Sequence, residues 1–165
     1  MARKVFFSFH FANDHWRTQQ VRNMGALEGQ TFCTPNAWEE VKQKGSSAIE
    51  KWIDDNLYGK SCVLVLVGSQ TAERPWVTKE ILKGWDKGKG VLAVRINKLL
   101  DSKQNSATSG GNPLANVTHG PSGKKLSEIA PIYTPAGSTS SEVYRSIQNN
   151  IEGWIEDAIK IRGKN

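Results

Sequence analysis

The segment Cys62-Val63-Leu64-Val65-Leu66-Val67-Gly68-Ser69-Gln70-Thr71-Ala72-Glu73-Arg74-Pro75-Trp76-Val77-Thr78-Lys79-Glu80-Ile81 carries the reading of the fold. Its first part is an unbroken apolar run that stops at a glycine, the pattern of a strand buried on both faces. A polar turn follows. Pro75 then marks the start of a helix, because proline fits the first helical turn, where its missing N–H has no partner to lose. Trp76 and Glu80 are four residues apart and so share one face of that helix near its beginning. A strand that ends in a turn and a helix N-terminus is where open α/β sheets place their ligands. Here that place carries an aromatic ring and a carboxylate.

Working outward, the same alternation repeats. Val5–Phe9 reads as a short buried strand. Asp14 is the expected N-cap of a helix over 16–24, with Trp16, Gln20, Val21 and Met24 as its apolar stripe. Thr31–Cys33 reads as a second short strand. A helical region begins at Trp38, is interrupted at Gly45, and restarts at the capping-box pattern Ser47-Ala48-Ile49-Glu50. After the helix from Pro75 to about Asp86, a fourth strand is expected over Val91–Ile96. A weak edge strand is expected at Ile132-Tyr133. A second capping box, Thr139–Glu142, opens a long amphipathic helix. Between them, 101–125 loses its hydrophobic periodicity and is rich in Ser, Asn, Gly, Thr and Lys, which predicts a polar loop or insertion within a single domain spanning 1–165. Strands alternating with helices imply a flavodoxin-like, doubly wound α/β domain: a parallel sheet of about five strands, order 2-1-3-4-5, with helices on both faces. Its crevice, between the ends of strands 1 and 3, would gather Phe9, His10 and Asn13 from one side and Ser69, Trp76 and Glu80 from the other.

Composition narrows the class. The chain has 165 residues, 38% of them hydrophobic and six of them tryptophan, which excludes disorder. No run of 18 apolar residues suggests a membrane span, and the basic Met1-Ala2-Arg3-Lys4 precedes too short an apolar segment for a signal peptide. Cys33 and Cys62 lack CxxC spacing and are read as reduced, buried thiols of a cytoplasmic protein. The net charge of +6 comes from 22 basic and 16 acidic residues, but the lysines are scattered. A nucleic-acid binder is therefore a weak candidate, with no aromatic-interleaved basic stripe behind it.

Several chemistries lack their residues. GxGxxG and GxxxxGK[ST] are absent, so dinucleotide-fold and P-loop phosphate binding have no support. Strand 1 ends in Ser8-Phe9-His10 rather than in the clustered aspartates a phosphate-accepting receiver needs. His10, His15 and His119 lack metal-ligand spacing, so no metal is expected. A lone carboxylate beside aromatics suits cleavage of a sugar from a cationic leaving group, where it can steady an oxocarbenium-like charge. Nicotinamide ribose meets that description, the flat cationic ring being held by aromatic faces. The plainer alternatives stay open on residues alone. Glu80 is equally a surface glutamate near a helix start, paired with Lys83. Trp76, Phe9 and His10 fit simple packing roles, and Trp38 fits either the crevice or a helix cover.

The blocks Lys4–His10, Trp16-Arg17, Val21–Asn23, Val65–Thr71 and Arg74–Ile81 together resemble the TIR-like family and, more narrowly, the ThsB proteins of bacterial Thoeris anti-phage systems. The resemblance runs in register from Arg3 to Asn97. It implies a TIR fold and an enzyme with NAD as substrate and no cofactor. Its product would be a cyclic ADP-ribose isomer or related nucleotide that diffuses to a separate effector protein. It places the family's catalytic glutamate, in the Trp-x-x-x-Glu block, on Glu80. Ser8, Phe9, His10, Ser69 and Trp76 become expected substrate-pocket positions, and self-association is expected to accompany activation. The segment His10-Phe11-Ala12-Asn13-Asp14 departs from the animal and plant branches of the family. The rival expectation is a non-catalytic TIR-like module that recruits partners through its surface.

Overall fold

Six consecutive apolar residues, Cys62–Val67, are all buried, and a strand apolar on both sides has to be covered on both. The computed structural model describes residues 3–29, 41 and 43–165. Within them the sheet comprises β1 (Arg3–Ser8), β2 (Leu27–Gly29), β3 (Cys62–Val67), β4 (Gly90–Arg95) and β5 (Ile132–Tyr133). The strands are ordered 2-1-3-4-5 and every pairing is parallel. The helices among the described residues are α1 (Phe11–Arg22), α2 (Ser46–Leu57), α3 (Pro75–Asp86) and α4 (Ser140–Gly163). This is the doubly wound, flavodoxin-like arrangement that the alternating pattern predicts. Its topological switch point lies between β1 and β3, which pair from Val5–Cys62 to Ser8–Val65.

Two apolar layers sandwich the sheet. On one face Val5, Phe7, Leu64 and Leu66 meet Val21 of α1 and Val143, Ile147, Ile151 and Ile155 of α4. On the other, Phe6, Val63, Val65 and Val67 meet Ile49, Ile53 and Leu57 of α2 and Val77, Ile81 and Trp85 of α3. The period-2 alternation of strands produces this division. It also puts Ser8 on the α2/α3 side, in step with Phe6.

The structure revises several local expectations. Helix α1 begins at Phe11, with His10 at the N-cap position. Asp14 is therefore no cap: its amide donates to the His10 carbonyl at 2.8 Å, and its buried carboxylate pairs with Arg17 one turn later at 2.8 Å. The apolar stripe expected on α1 faces inward only in part: Val21 is buried and Met24 packs against the core, but Trp16 is 54% exposed and Asp14, Arg17 and Thr18 take buried positions. The second strand is Leu27–Gly29. Thr31–Cys33, Cys33 itself and the helix start at Trp38 lie outside the described residues. The Ser47–Glu50 box does not form. α2 starts after Gly45, whose φ of 94° suits glycine, with no side-chain cap, and Glu50 bonds Lys79 of α3 at 2.7 Å instead. The Thr139 cap of α4 forms as expected, accepting the Glu142 N–H at 3.2 Å.

The polar stretch 101–125 is fastened to the body. Leu114 and Val117, in and beside a short 3-10 turn at Pro113–Asn116, are buried in the α2/α3 layer. Arg95 donates to the Gly110 carbonyl at 2.6 Å, and Asn116 donates to the Ala72 carbonyl at 2.8 Å. The His119 ring sits edge-on to Trp85 at 5.7 Å. Gly110 lies so close to the carbonyls of Gly68 and Ser69 that a Cβ there would collide with them.

Candidate active site

Glu80 occupies a place on α3 that the helix would ordinarily give to an apolar residue. The inner face of α3 is Val77, Glu80, Ile81, Gly84 and Trp85, all buried, and Glu80 is only 7% exposed. The hydroxyl of Ser8, the last residue of β1, donates to its Oε1 at 2.8 Å. Burial pushes the Glu80 carboxyl up to about 8, and the Ser8 hydrogen bond lowers it against that trend. The lysines nearby are engaged elsewhere. Lys79 pairs with Glu50 at 2.7 Å, and Lys83 pairs with Asp54 at 3.0 Å. The surface-pair explanation of Glu80 is thereby removed. A carboxyl removed from water beside the end of β1 resists ionisation until a positive charge lies near it.

The turn after β3 is shaped by the Gly68 amide, which donates to Thr71 Oγ1 at 2.8 Å. Asn13, near the start of α1, reaches over it to donate to Gln70 Oε1 at 3.0 Å. Arg74 donates to the same oxygen at 3.4 Å. Gly68 packs against the Asp14 carboxylate, leaving no room for a Cβ. Switch-point strands β1 and β3 are thus stitched together above the sheet by polar groups.

The expected site residues do not all gather at one point. Ser8 and Glu80 touch. Trp76 is one turn before Glu80, partly buried against the α2/α3 layer, with Lys79 Nζ 5.2 Å from its ring centroid. Phe9 belongs to the other face: it packs on the α1/α4 layer, its ring 5.9 Å from that of Phe11. His10 stands half-buried at the N-cap position of α1. Ser69 lines a recess of about 550 Å³ together with Asn13, Trp16 and Arg17, rather than with Glu80. Trp38 lies outside the described residues. Among the described residues no three His, Cys, Asp or Glu side chains cluster in a way that would hold a metal, and no helix is long and apolar enough to cross a membrane. Cys62 is a buried free thiol.

Sequence reasoning passed over the buried Asp14–Arg17 pair and the bridging Gln70. The i, i+3 acid–base spacing of Asp14 and Arg17 was the available signal, obscured by reading Asp14 as a cap.

Comparison with known proteins gives this geometry its context. Residues 6–101 match the family described as "Thoeris protein ThsB, TIR-like domain". The chain is also similar to a protein of Bacillus cereus (strain MSX-D12) named "Putative cyclic ADP-D-ribose synthase ThsB1". The two are 32% identical over 123 residues, covering 68% of this chain and 62% of that relative. The matched region runs from β1 through α3 and β4, so it includes Ser8, Ser69, Trp76 and Glu80. The chain belongs to the ThsB TIR-like domain family.

Proposed function

We propose that this protein is an NAD-consuming enzyme of anti-phage defence, which breaks the nicotinamide–ribose bond and makes a cyclic ADP-ribose-type signal for a separate effector. The observation that carries the reading is the buried Glu80 carboxyl, held by Ser8 at the β1/β3 switch point of a ThsB-family domain. The relative's name supports the class of product.

In this reading the nicotinamide ring brings a fixed positive charge to the crevice, where it lies against the Trp76 face. That charge favours the ionised form of Glu80, so the carboxylate forms when there is a cation for it to match. As the glycosidic bond breaks, its electron pair returns to the ring nitrogen and the positive charge passes to the ribose. Glu80 steadies that charge or holds the ribose hydroxyls, with Ser8 fixing the carboxylate. An internal nucleophile of the ADP-ribose then attacks C1″ and loses its proton, closing the ring, or water attacks instead. The enzyme works in the cytoplasm, and its specific activity is expected to rise with protein concentration if assembly completes the pocket.

The test is mass spectrometry of lysates from phage-infected cells that express the wild type or Glu80→Gln. The expected result is a new ADP-ribose-like nucleotide with the wild type alone. Unchanged NAD and no new nucleotide, with the variant still protecting cells, would overturn the enzyme in favour of the recruiting module.

A further inference from the structure

Lysines that lie far apart in the chain meet at the end of the sheet opposite the Ser8–Glu80 contact. Every strand pairing is parallel, so the strand starts share that end, and the helices that return between them finish there. Tyr58 is the C-cap residue of α2 and Lys87 that of α3. Lys60 stands two residues before β3, and Lys89 immediately before β4. Short bonds join these turns. Lys89 Nζ donates to the Lys60 carbonyl at 2.7 Å, the Gly90 amide to the Ser61 carbonyl at 3.1 Å, and the Ser61 amide to the Lys4 carbonyl at 2.8 Å. The starts of β1, β3 and β4 therefore form one continuous surface.

That surface carries more positive charge than it answers. Asp54 takes both Lys83, at 3.0 Å, and Lys87, at 2.9 Å. Lys60 and Lys89 pair with no carboxylate among the described residues, and the exposed Asp86 pairs with none of these lysines. Burial first, and then the charges of Lys87 and Lys60, hold the pKa of Lys89 below its ordinary value. Helix dipoles favour a cation at each helix C-terminus. They do not account for a third ammonium placed against two others. Beside these lysines Tyr58 is 86% exposed, and its ring makes no aromatic or hydrogen-bonded contact among the described residues. Chain order disperses the lysines and the aromatic, which is why the sequence shows no interleaved stripe. The parallel fold brings them together.

We propose that this end of the sheet binds single-stranded nucleic acid, with Lys60, Lys87 and Lys89 against phosphates and Tyr58 against a base. Lysine meets phosphate as a point charge and reads no sequence, and an aromatic ring stacks on any base, so the binding is sequence-tolerant. A duplex would satisfy the lysines but keeps its bases stacked away from Tyr58. An acidic protein surface would likewise answer the charge and leave the ring without a role. The surface is remote from Glu80, and the proposal stands or falls independently of the enzymatic reading.

The experiment is fluorescence anisotropy of the full chain with a labelled oligothymidylate and with a duplex of the same length. Three phosphate contacts predict that single-strand affinity falls about twentyfold between roughly 50 and 200 mM salt. In Lys60→Ala/Lys89→Ala that fall should shrink to about threefold. Tyr58→Ala should weaken the single strand roughly fivefold or more and leave the duplex unchanged, and Tyr58→Phe should bind as the wild type does. Arg145→Ala/Lys103→Ala removes the same charge from exposed positions at the other end of the sheet and should change nothing. Tyr58 is exposed, so its variants should melt with the wild type and keep the test open if the lysine variant folds poorly. No single-strand binding at low salt, equal affinity in Tyr58→Ala, or an equal loss in Arg145→Ala/Lys103→Ala overturns the proposal. Binding to phosphatidylserine vesicles with none to the oligonucleotide overturns it in favour of a membrane surface.

Discussion

At Glu80 two forces oppose each other. Removal from water favours the neutral acid, and the Ser8 hydroxyl favours the anion. If the ionised form steadies the ribose, kcat/KM for NAD should rise with pH through a midpoint at about 8 and level off above it. Ser8→Ala removes the group that favours ionisation, so the rising limb should move to higher pH. A hydrogen bond to a charged group is worth about 1.5–3 kcal/mol, which corresponds to a displacement of roughly one to two pH units. A pH–rate profile of Ser8→Ala checks this. A lower plateau with an unmoved limb would mean that Ser8 touches substrate and does not tune Glu80. Cys62 shows the same physics without function: burial pushes its thiol up, and it remains inert in β3.

Among the elements, those that announce themselves by apolar pattern form where the pattern puts them. Cys62–Val67, Pro75–Asp86 and the Thr139-capped helix form as the sequence predicts, because the apolar residues that define them are also those the core needs. Helix α1 was legible in existence but not in register. Its buried face mixes Val21 with Asp14, Arg17 and Thr18, and Asp14 satisfies Arg17 rather than a helix end. Breaking such a pair leaves a buried charge behind, at a cost of about 3–5 kcal/mol. Arg17→Met should therefore destabilise the protein by that order in urea unfolding, and it should also loosen 97–105, which Arg17 holds through Leu99 and Asn105. The polar stretch 101–125 misled for a related reason. Its few apolar residues have no period, yet Leu114, Val117 and Leu126 are buried in the α2/α3 layer. Leu114→Ala should cost about 2–5 kcal/mol, where a solvated loop would lose less than about 0.5 kcal/mol. Guanidinium unfolding curves of the variant separate the two. Ser8 and Glu80 were grouped only by the family resemblance, since 72 residues separate them and the strand order alone gathered Phe9, His10 and Asn13 instead.

For the whole molecule, the site is a stability cost that should be measurable as a function of pH. The Glu80 carboxyl titrates at about 8 in the fold against an ordinary 4.5. Between those values the native state keeps a proton that the unfolded chain releases, so stability falls as pH rises through this window and is flat on either side. Glutamine keeps the shape and still accepts from Ser8, but does not titrate. Glu80→Gln should thus melt close to the wild type at pH 4 and progressively above it as pH rises to 8. Each unit of displacement is worth about 1.4 kcal/mol, so the gap reaches a few kcal/mol at pH 9, on the order of 10 °C for a chain of this size. The paired carboxylates of Glu50 and Asp54 are held below their usual range by lysines. They push in the opposite sense, with stability gained as pH rises past the lower carboxylate range. They are half-exposed, contribute little, and are common to both proteins, so they cancel in the difference. Scanning calorimetry of the two proteins from pH 4 to 9 gives the curve directly. A gap that widens with pH identifies a carboxyl the fold would discard if stability alone were selected, which is the behaviour of a residue kept for chemistry. A gap independent of pH would mean that Glu80 is already ionised and solvated in the fold, and the rising pH–rate limb expected near 8 would fall with it.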